Sequence, residues 1–346
     1  MKILAIDTST DETSVAVTEG TRVLSNTIST QIRYHKKFGG VVPMLAARLH
    51  AERIQHVITE SLHRAKLEVT DIDAIAVTYG PGLAPALQVG INAAKELAGQ
   101  LGKPLYGINH MTGHIASCFA QVGTREQVEP SYPFLAILVS GGHSELVLVE
   151  SFRTYTILGQ TLDDALGEAY DKVGRMLGLG YPAGKLIAKL AEEGNPKAFP
   201  LPVAMLRSGD FNLSYSGLKN AVRLLVDDLK LNNRLDKQAI MDVCASFQFV
   251  AQQSLLRKTD KVLQVYPEIQ QVILAGGVAA NTVLRAEIRR LVKNYNLPLI
   301  TPVNLKLCTD NAAMIGVAAY FGIAEGLQPV EPKVLDRIPH LSLEDE

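Results

Sequence analysis

Two histidines four residues apart, His110 and His114, are the residues of this chain best suited to chemistry. On a helix, this spacing places both imidazoles on one face, one turn apart, where they can bind a single divalent metal ion. The segment HMTGH lacks the glutamate that follows the first histidine in zinc-peptidase helices. Asp310 is the candidate third ligand, although Thr309, Asp310 or Asn311 would each also serve as the N-cap of the helix that follows. A His, His, Asp set leaves coordination positions open for substrate oxygens, which suits a catalytic ion.

Three turns that follow predicted strands have the composition of phosphate-binding loops. They are residues 7–13 (DTSTDET), 140–143 (SGGH) and 275–281 (AGGVAAN). Backbone N–H groups in such turns and at helix starts bind phosphate, and glycine lets the main chain approach a ligand closely. The first turn also fits an ordinary polar hairpin tip. A metal ion between phosphate turns indicates an enzyme that handles a nucleotide.

A pair of carboxylates, Glu168 and Asp171, lies three residues apart on a predicted helix, so both face the same way. They fit either a solvated acidic face or a pair that accepts hydrogen bonds from ribose hydroxyls. Spacing alone does not decide between the two.

The elements that must position these residues alternate between strands and helices. The predicted strands are 3–6, 14–17, 72–78, 104–108, 134–139, 145–149 and 271–275, and the predicted helices are 46–65, 86–101, 281–293 and 312–325. In both halves an apolar strand enters a glycine turn and then a helix, which predicts a duplicated α/β fold. We expect an N-terminal lobe at 1–120, completed by about 312–330, and a C-terminal lobe at 130–308, with the loop at 121–132 between them. The turns at 7–13 and 140–143 are expected to open into a cleft between the lobes. The polar tail, 331–346, is expected to fray.

Composition places the chain among soluble cytosolic enzymes. It has 346 residues, of which 47% are hydrophobic and 20% charged, and a net charge of −1. No targeting segment or apolar run of membrane-spanning length is evident, and the three cysteines are scattered, which argues against a disulfide framework. The chain lacks the overall basic excess of a protein that binds nucleic acid alone. Local basic clusters at 33–37, 48–56 and 285–293 are more often solvated helix faces.

Nine segments of the chain resemble, in order, the motifs of the TsaD family. They are 7–13 (DTSTDET), 39–43 (GGVVP), 80–82 (GPG), 109–114 (NHMTGH), 138–143 (LVSGGH), 167–172 (GEAYDK), 214–219 (SYSGLK), 275–281 (AGGVAAN) and 308–311 (CTDN). The resemblance implies a duplicated actin/hexokinase-like (ASKHA) α/β fold with two lobes around a nucleotide cleft. It also implies a bacterial-type tRNA N6-adenosine threonylcarbamoyltransferase of the cytoplasm, whose partners are tRNA, threonylcarbamoyl-AMP, TsaB and the ATPase TsaE. Such an enzyme moves the threonylcarbamoyl group to N6 of adenosine 37 in tRNAs that read codons beginning with A.

Carried over by position, the resemblance implies a role for individual residues. It makes His110, His114 and Asp310 the ligands of one divalent metal ion, with Fe(II) ranked ahead of Zn(II), and it makes Asp11 and Glu12 the acidic residues needed for activity. The implied substrate-binding residues are Leu138, Val139, Ser140, Gly141, Gly142, Asp171, Gly184 and Asn281. This sequence departs from the family pattern at Met44, Ala183, Lys185 and Ala312.

These residues favour metal-assisted acyl transfer as the hypothesis for the reaction. The metal ion would activate the carbamoyl carbonyl and neutralise the departing phosphate, while Asp11 or Glu12 would accept the proton from N6. A kinase or ATPase of the same fold is a weaker candidate, because a histidine-bound metal is unlike the water-rich Mg²⁺ sites of kinases. A metallopeptidase and a non-catalytic paralogue complete the set of candidate functions.

Overall fold

The computed structural model of the chain describes residues 1–124, 127–205 and 208–345. The predicted 121–132 loop, the predicted lobe 130–308 and the tail 331–346 therefore each include residues outside the described part. The chain divides into two compact units. Unit 1 comprises Met1–Phe134, Val149–Thr156 and Ile300–Glu346, and unit 2 comprises Leu135–Leu148 and Ile157–Leu299.

Each half of the chain contributes one five-stranded sheet. The strands are β1 (Lys2–Asp7), β2 (Glu12–Glu19), β3 (Arg22–Thr30), β4 (Ala74–Gly80), β5 (Leu105–Asn109), β6 (Phe134–Val139), β7 (Ser144–Ser151), β8 (Thr154–Gln160), β9 (Gln271–Ala275) and β10 (Leu299–Ile300). The first sheet has the order β3-β2-β1-β4-β5 and the second has the order β10-β9-β6-β7-β8. Read from the other edge, the second order repeats the first, which confirms the predicted duplication.

Ten α-helices connect or cover these strands in the described part of the chain. They are α1 (Ile32–His35), α2 (Pro43–Ala65), α3 (Ala84–Leu101), α4 (His110–Ala116), α5 (Leu166–Met176), α6 (Gly184–Ala191), α7 (Ser216–Leu231), α8 (Lys237–Val265), α9 (Thr282–Lys293) and α10 (Ala312–Ala324). The sequence predicted α2, α3, α9 and α10 closely. None of the described helices is long and apolar enough to cross a bilayer.

In unit 1, helices cover both faces of the first sheet. Val17 of β2 belongs to a core that also contains Ile54 of α2 and Leu87 of α3. Neighbouring side chains of a strand point to opposite faces, and the next residue, Thr18, lies against Gly316 of α10. The central strands are therefore buried on both sides, which explains their continuous apolar character.

Strand direction in the first sheet determines where polar residues gather. β1 pairs antiparallel with β2 but parallel with β4, and β4 pairs parallel with β5. The carboxyl ends of β1 and β5 therefore lie at the same edge of the sheet. Asp7 ends β1 and Asn109 ends β5, directly before the histidine helix α4.

Unit 2 has a separate core. It is formed by apolar residues of β6, β7 and β9 together with the inner faces of α5 to α9. The long helix α8 contributes Val243, Phe247 and Leu255 to this core, all fully buried.

The expectation that the C-terminal tail frays is wrong. Leu335, Leu341 and Leu343 are buried, with 4%, 6% and 2% exposure. The backbone N–H of Ile338 donates to the carbonyl of Tyr79, and a Cβ on Gly80 would meet the carbonyl of Ile338. Three buried leucines and backbone hydrogen bonds therefore attach this polar segment to the rest of unit 1.

Candidate functional site

Two helix starts bring the candidate metal ligands together in unit 1. The N-cap of α4 is Asn109, whose Oδ1 accepts a hydrogen bond from the backbone N–H of Met111 at 2.8 Å. The N-cap of α10 is Asn311, whose Oδ1 accepts from the N–H of Met314 at 3.1 Å. These caps fix the residue at which each helix begins. His110 is the first residue of α4, and Asp310 lies directly before the cap of α10.

The side chains of His110, His114 and Asp310 converge. Asp310 Oδ1 lies 3.4 Å from Nε2 of His110 and 3.4 Å from Nε2 of His114. One ligand atom from each residue lies within 4.8 Å of the others. This donor set, two imidazole nitrogens and one carboxylate oxygen, is the kind that Zn²⁺ and Fe²⁺ bind in proteins.

Unsatisfied polar atoms provide a test of whether a metal ion fits here. His114 is 1% exposed, and neither of its ring nitrogens has a hydrogen-bond partner among the residues that the structure describes. A buried ring nitrogen without a partner is costly unless it binds something else. The His110, His114 and Asp310 cluster therefore fits a metal ion.

Two residues of the first turn contact the candidate ligands from outside the cluster. Asp7 is fully buried, and its Oδ1 lies 3.7 Å from Nδ1 of His110, the nitrogen that faces away from Asp310. Thr10 donates a hydrogen bond of 2.6 Å from Oγ1 to Oδ2 of Asp310. Such outer contacts orient metal ligands and fix the histidine tautomer.

The electrostatics of the metal-free cluster are those of a buried ion pair. Burial opposes a charge on His110, but the carboxylates of Asp310 and Asp7 outweigh it and raise the pKa of His110 to about 10. Burial alone would raise the pKa of Asp310, but the two histidines hold it well below its usual value. A metal ion must therefore displace a proton from His110, which makes metal binding depend on pH.

Asp11 and Glu12 follow Thr10 and carry raised pKa values. Burial and the nearby Asp310 raise the pKa of Asp11 to about 6. Burial, together with nearby carboxylates, raises the pKa of Glu12 to about 8. A hydrogen bond from the Thr30 side chain lowers this pKa but does not outweigh burial. Carboxyl groups with pKa values near neutrality are suited to proton transfer.

Buried His50 of α2 holds the first turn in place. Its Nδ1 lies 2.8 Å from Oγ1 of Thr13, and its Nε2 lies 3.0 Å from the carbonyl of Thr10. Burial lowers the pKa of His50, so the neutral ring donates from Nε2 and accepts at Nδ1. These two contacts of His50 therefore fix the turn that carries Asp11 and Glu12 to helix α2.

In unit 2 the predicted nucleotide turn joins β6 to β7. Leu138 and Val139 are fully buried at the end of β6, so they contribute only backbone to the turn surface. Ser140 is tied to His143 by two contacts, one of them a 3.1 Å hydrogen bond from the His143 N–H to Ser140 Oγ. Gly141 and Gly142 are exposed, and a Cβ on either would meet no atom of the described residues within 4 Å.

The other predicted substrate-binding residues of unit 2 already have structural partners. Asp171 Oδ1 accepts from the N–H of Ala183 at 2.8 Å, and the N–H of Gly184 also donates to this carboxylate. Asn281 is the N-cap of α9. Asn281 also donates from Nδ2 to Gln248 Oε1 at 2.8 Å.

Two of the departures from the family pattern, Ala183 and Lys185, flank Gly184. Ala183 is fully buried next to Gly174, whereas Lys185 is exposed. Position 183 is therefore a packing position, and the Gly184 N–H remains directed at Asp171.

The sequence did not predict the contacts of Asp7, Thr10 and His50. Asp7 lies near His110 only because β1 and β5 both pair in parallel with β4, which places the carboxyl ends of β1 and β5 on the same side of the sheet. No local pattern indicated His50, because its partners lie 37 and 40 positions away in the sequence.

Comparison with known proteins gives consistent matches along most of the chain. The sequence model of the family described as TsaD, tRNA N6-adenosine threonylcarbamoyltransferase, matches residues 22–317. A tRNA N6-adenosine threonylcarbamoyltransferase of Thermosipho melanesiensis is 46% identical over 343 residues, which cover 99% of this chain and 100% of the relative. The protein of the same name from Moorella thermoacetica is 47% identical over 343 residues, which cover 99% of this chain and 97% of the relative.

Solved structures are similar in fold. HypF of T. kodakarensis has a TM-score of 0.58 at 14% identity, with 94% of this chain and 48% of that chain covered. Component A of the (R)-2-hydroxyglutaryl-CoA dehydratase of Acidaminococcus fermentans has a TM-score of 0.54 at 15% identity, with 94% and 99% covered. These similarities confirm the predicted actin/hexokinase-like α/β fold, and at such identities they concern the fold alone.

Proposed function

The chain belongs to the TsaD family of tRNA N6-adenosine threonylcarbamoyltransferases, and on that premise we propose that threonylcarbamoyl-AMP is its donor. The protein is an acyltransferase that places a threonylcarbamoyl group on N6 of an adenosine in tRNA. Family membership thereby sets aside a kinase and a metallopeptidase. We propose adenosine 37 of tRNAs that read codons beginning with A as the acceptor, and the cytoplasm as the place of reaction.

We propose that His110, His114 and Asp310 hold one divalent metal ion, Fe(II) ahead of Zn(II). The observation that supports this most strongly is the convergence of three ligand side chains around a buried histidine with no hydrogen-bond partner in the described part of the chain. When bound, the ion supplies positive charge for carbonyl and phosphate oxygens. Thr10 would hold Asp310, and Asp7 would hold His110, in the orientation for binding.

We propose that unit 2 binds the nucleotide part of the donor at the Ser140–Gly142 turn, through the backbone N–H groups of Gly141 and Gly142, since the Ser140 N–H already donates to the His143 carbonyl at 2.8 Å. The exposed glycines and the absence of neighbours at their Cβ positions support close approach of a ligand. Since Leu138 and Val139 are buried, their part in binding would be backbone only. Asp171, Gly184 and Asn281 would act by fixing the starts of α6 and α9 beside the ligand.

We propose that Asp11 or Glu12 accepts the proton released by N6. The adenine N6 is a weak nucleophile because its lone pair is delocalised, so proton removal must accompany attack. The pKa of Asp11, raised to about 6, leaves its carboxylate mostly ionised at neutral pH, which supports this role. Glu12, whose pKa is raised to about 8 in the metal-free protein, would have to lose its own proton first. Unimpaired transfer by both Asp11→Asn and Glu12→Gln would remove the turn from the chemistry.

The test of the proposed function combines the purified chain with threonylcarbamoyl-AMP and an unmodified tRNA transcript. Mass spectrometry of the tRNA nucleosides should show threonylcarbamoyladenosine. His114→Ala should lose both bound metal and transfer, whereas His63→Ala, an exposed histidine near the end of α2, should keep both. Normal levels of the modified nucleoside in cells depleted of the protein would contradict the assignment.

We propose TsaB and TsaE as protein partners, on the basis of family membership. The net charge of −1 supports a partner that adds RNA-binding surface. Gel shifts of tRNA with this chain alone and with TsaB added test the first partner. Equal affinity in both would argue that TsaB adds no RNA contact.

A further inference from the structure

A short exposed segment of unit 1 concentrates positive charge and aromatic rings. Residues 31–51 contain four arginine or lysine residues and no acidic residue. The side chains of Tyr34 and Phe38 are 37% and 57% exposed. We define the basic-aromatic patch as Arg33, Tyr34, Lys36, Lys37, Phe38 and Arg53.

No acidic side chain of the described residues forms an ion pair with the charges of this patch. Among the described residues, Arg33, Lys36 and Lys37 form no ion pair, whereas Arg48 outside the patch pairs with Glu52 at 3.5 Å. Three of the four cations of the patch lie over aromatic rings instead. The guanidinium carbons of Arg33 and Arg53 lie 5.3 and 5.1 Å from the ring centroid of Tyr34. Lys37 Nζ lies 5.1 Å from the ring centroid of Phe38.

Buried residues fix the segment in place beneath the exposed side chains. Gln31 and His35 are fully buried and joined by a 3.1 Å contact between Gln31 Oε1 and His35 Nε2. The N–H of Val42 donates to Nδ1 of His35 at 3.2 Å. The patch is therefore held on a defined backbone, which lowers the entropy cost of binding a partner.

The patch is attached directly to the turn that carries the proposed proton acceptors. The backbone N–H of Gln31 donates to the carbonyl of Asp11 at 3.1 Å. Thr30 is the cross-strand partner of Glu12, and Arg53 Nη1 donates to the Thr30 carbonyl at 3.1 Å. Hydrogen bonds therefore join the segment that carries the patch to the turn that carries Asp11 and Glu12, within the same unit.

We propose that the basic-aromatic patch binds the single-stranded loop nucleotides next to the adenosine that is modified. This inference rests on the proposed function, since it takes tRNA as the acceptor. Lysines without acidic partners suit phosphate, and aromatic rings with guanidinium planes are the surfaces on which unstacked bases stack. The local charge also explains how a chain with a net charge of −1 can bind a polyanion.

The test uses the full-length protein with its partners and a tRNA transcript that reads a codon beginning with A. The charge variant is Lys36→Glu with Lys37→Glu, and the ring variant is Tyr34→Ala with Phe38→Ala. The control for charge is Lys66→Glu with Lys103→Glu, where Lys66 follows the far end of α2, about 34 Å along the helix from its start. Lys103 precedes β5, at the sheet edge opposite β3. Rescue by Lys36→Arg with Lys37→Arg checks that charge, not folding, is responsible.

Both patch variants should weaken tRNA binding at least tenfold and raise KM for tRNA, with KM for threonylcarbamoyl-AMP, metal content and Tm unchanged. The charge variant should also reduce the salt dependence of binding, by about 1.4 in the slope of log K against log salt for two lost phosphate contacts on a single strand. The control should stay within about twofold of the wild type. Wild-type tRNA affinity in both variants would overturn the proposal. Loss of assembly with TsaB at unchanged tRNA affinity would overturn it as well, in favour of a protein interface. Failure of the proposed function would show differently, as absence of transfer by the wild type.

Discussion

Replacement of Asp7 by asparagine tests whether the first turn acts on the metal centre. Asp7 is fully buried, and its Oδ1 lies 3.7 Å from Nδ1 of His110, while Nε2 of the same ring faces Asp310. Asparagine keeps the shape and removes the charge. We therefore expect Asp7→Asn to bind the metal ion with lower affinity and to keep the wild-type fold.

The magnitude of this effect follows from two opposing contributions. Loss of an outer contact to a metal-binding histidine reduces metal affinity by about 10- to 100-fold, or roughly 1.4 to 2.7 kcal/mol. Asp7 also raises the pKa of His110, so its replacement lowers the proton competition that a metal ion must overcome. The measured loss of metal affinity should therefore be larger at pH 9 than at pH 7, because a smaller fraction of His110 carries the competing proton at pH 9.

Chelator competition with Zn(II) or Co(II) at both pH values measures this affinity without relying on activity. Asp73→Asn is the matched control, because Asp73 is an exposed carboxylate of unit 1 whose Oδ2 accepts a hydrogen bond from the Lys2 backbone. Wild-type affinity of Asp7→Asn at pH 9 would refute the reasoning and leave Asp7 with a structural role only.

Contacts in unit 1 lead to three further predictions. Thr10→Val removes the 2.6 Å donor to Asp310, and chelator competition should show an approximately tenfold weaker metal affinity with wild-type transfer at saturating metal. Since the pKa of Glu12 is raised from 4.5 to about 8, folded metal-free protein keeps a proton that the unfolded chain releases, so its stability falls as pH rises from about 5 to 8. Glu12→Gln should flatten that fall and give a higher Tm than wild type at pH 8; identical pH profiles would contradict the assigned pKa. Gly80→Ala places a methyl group against a carbonyl of the C-terminal segment and should lower the free energy of unfolding, measured with denaturant, by about 1 to 3 kcal/mol. Gly99→Ala, in open space on α3, should not lower the free energy of unfolding.

Buried strands were the most predictable part of the fold. The strands Phe134–Val139 and Gln271–Ala275 have the bounds that their continuous apolar runs predicted. Helix α8 was not predicted, although it has 29 residues. Its buried face includes Ser246, Gln248 and Lys258, and buried polar residues obscure the apolar period on which prediction depends.

Site residues that are close in sequence or share a motif could be predicted, and those joined by tertiary contact could not. The spacing of His110 and His114 indicated a metal pair because four residues make about one helical turn. The contact of Asp7 with His110 depends on strand order, which no local pattern contains. Leu341 and Leu343 lie in a polar, proline-containing segment, and only their burial in unit 1 shows that this segment is held.

The attachment of the C-terminal segment has a practical consequence for work with this protein. Asn109 caps the histidine helix with its Oδ1 and donates from Nδ2 to the carbonyl of Ser342 at 3.0 Å. Cleavage of this segment by a protease, or a purification tag fused to its end, would therefore disturb the residue next to His110. Preparations that differ only in the integrity of this end should differ in how much metal they retain.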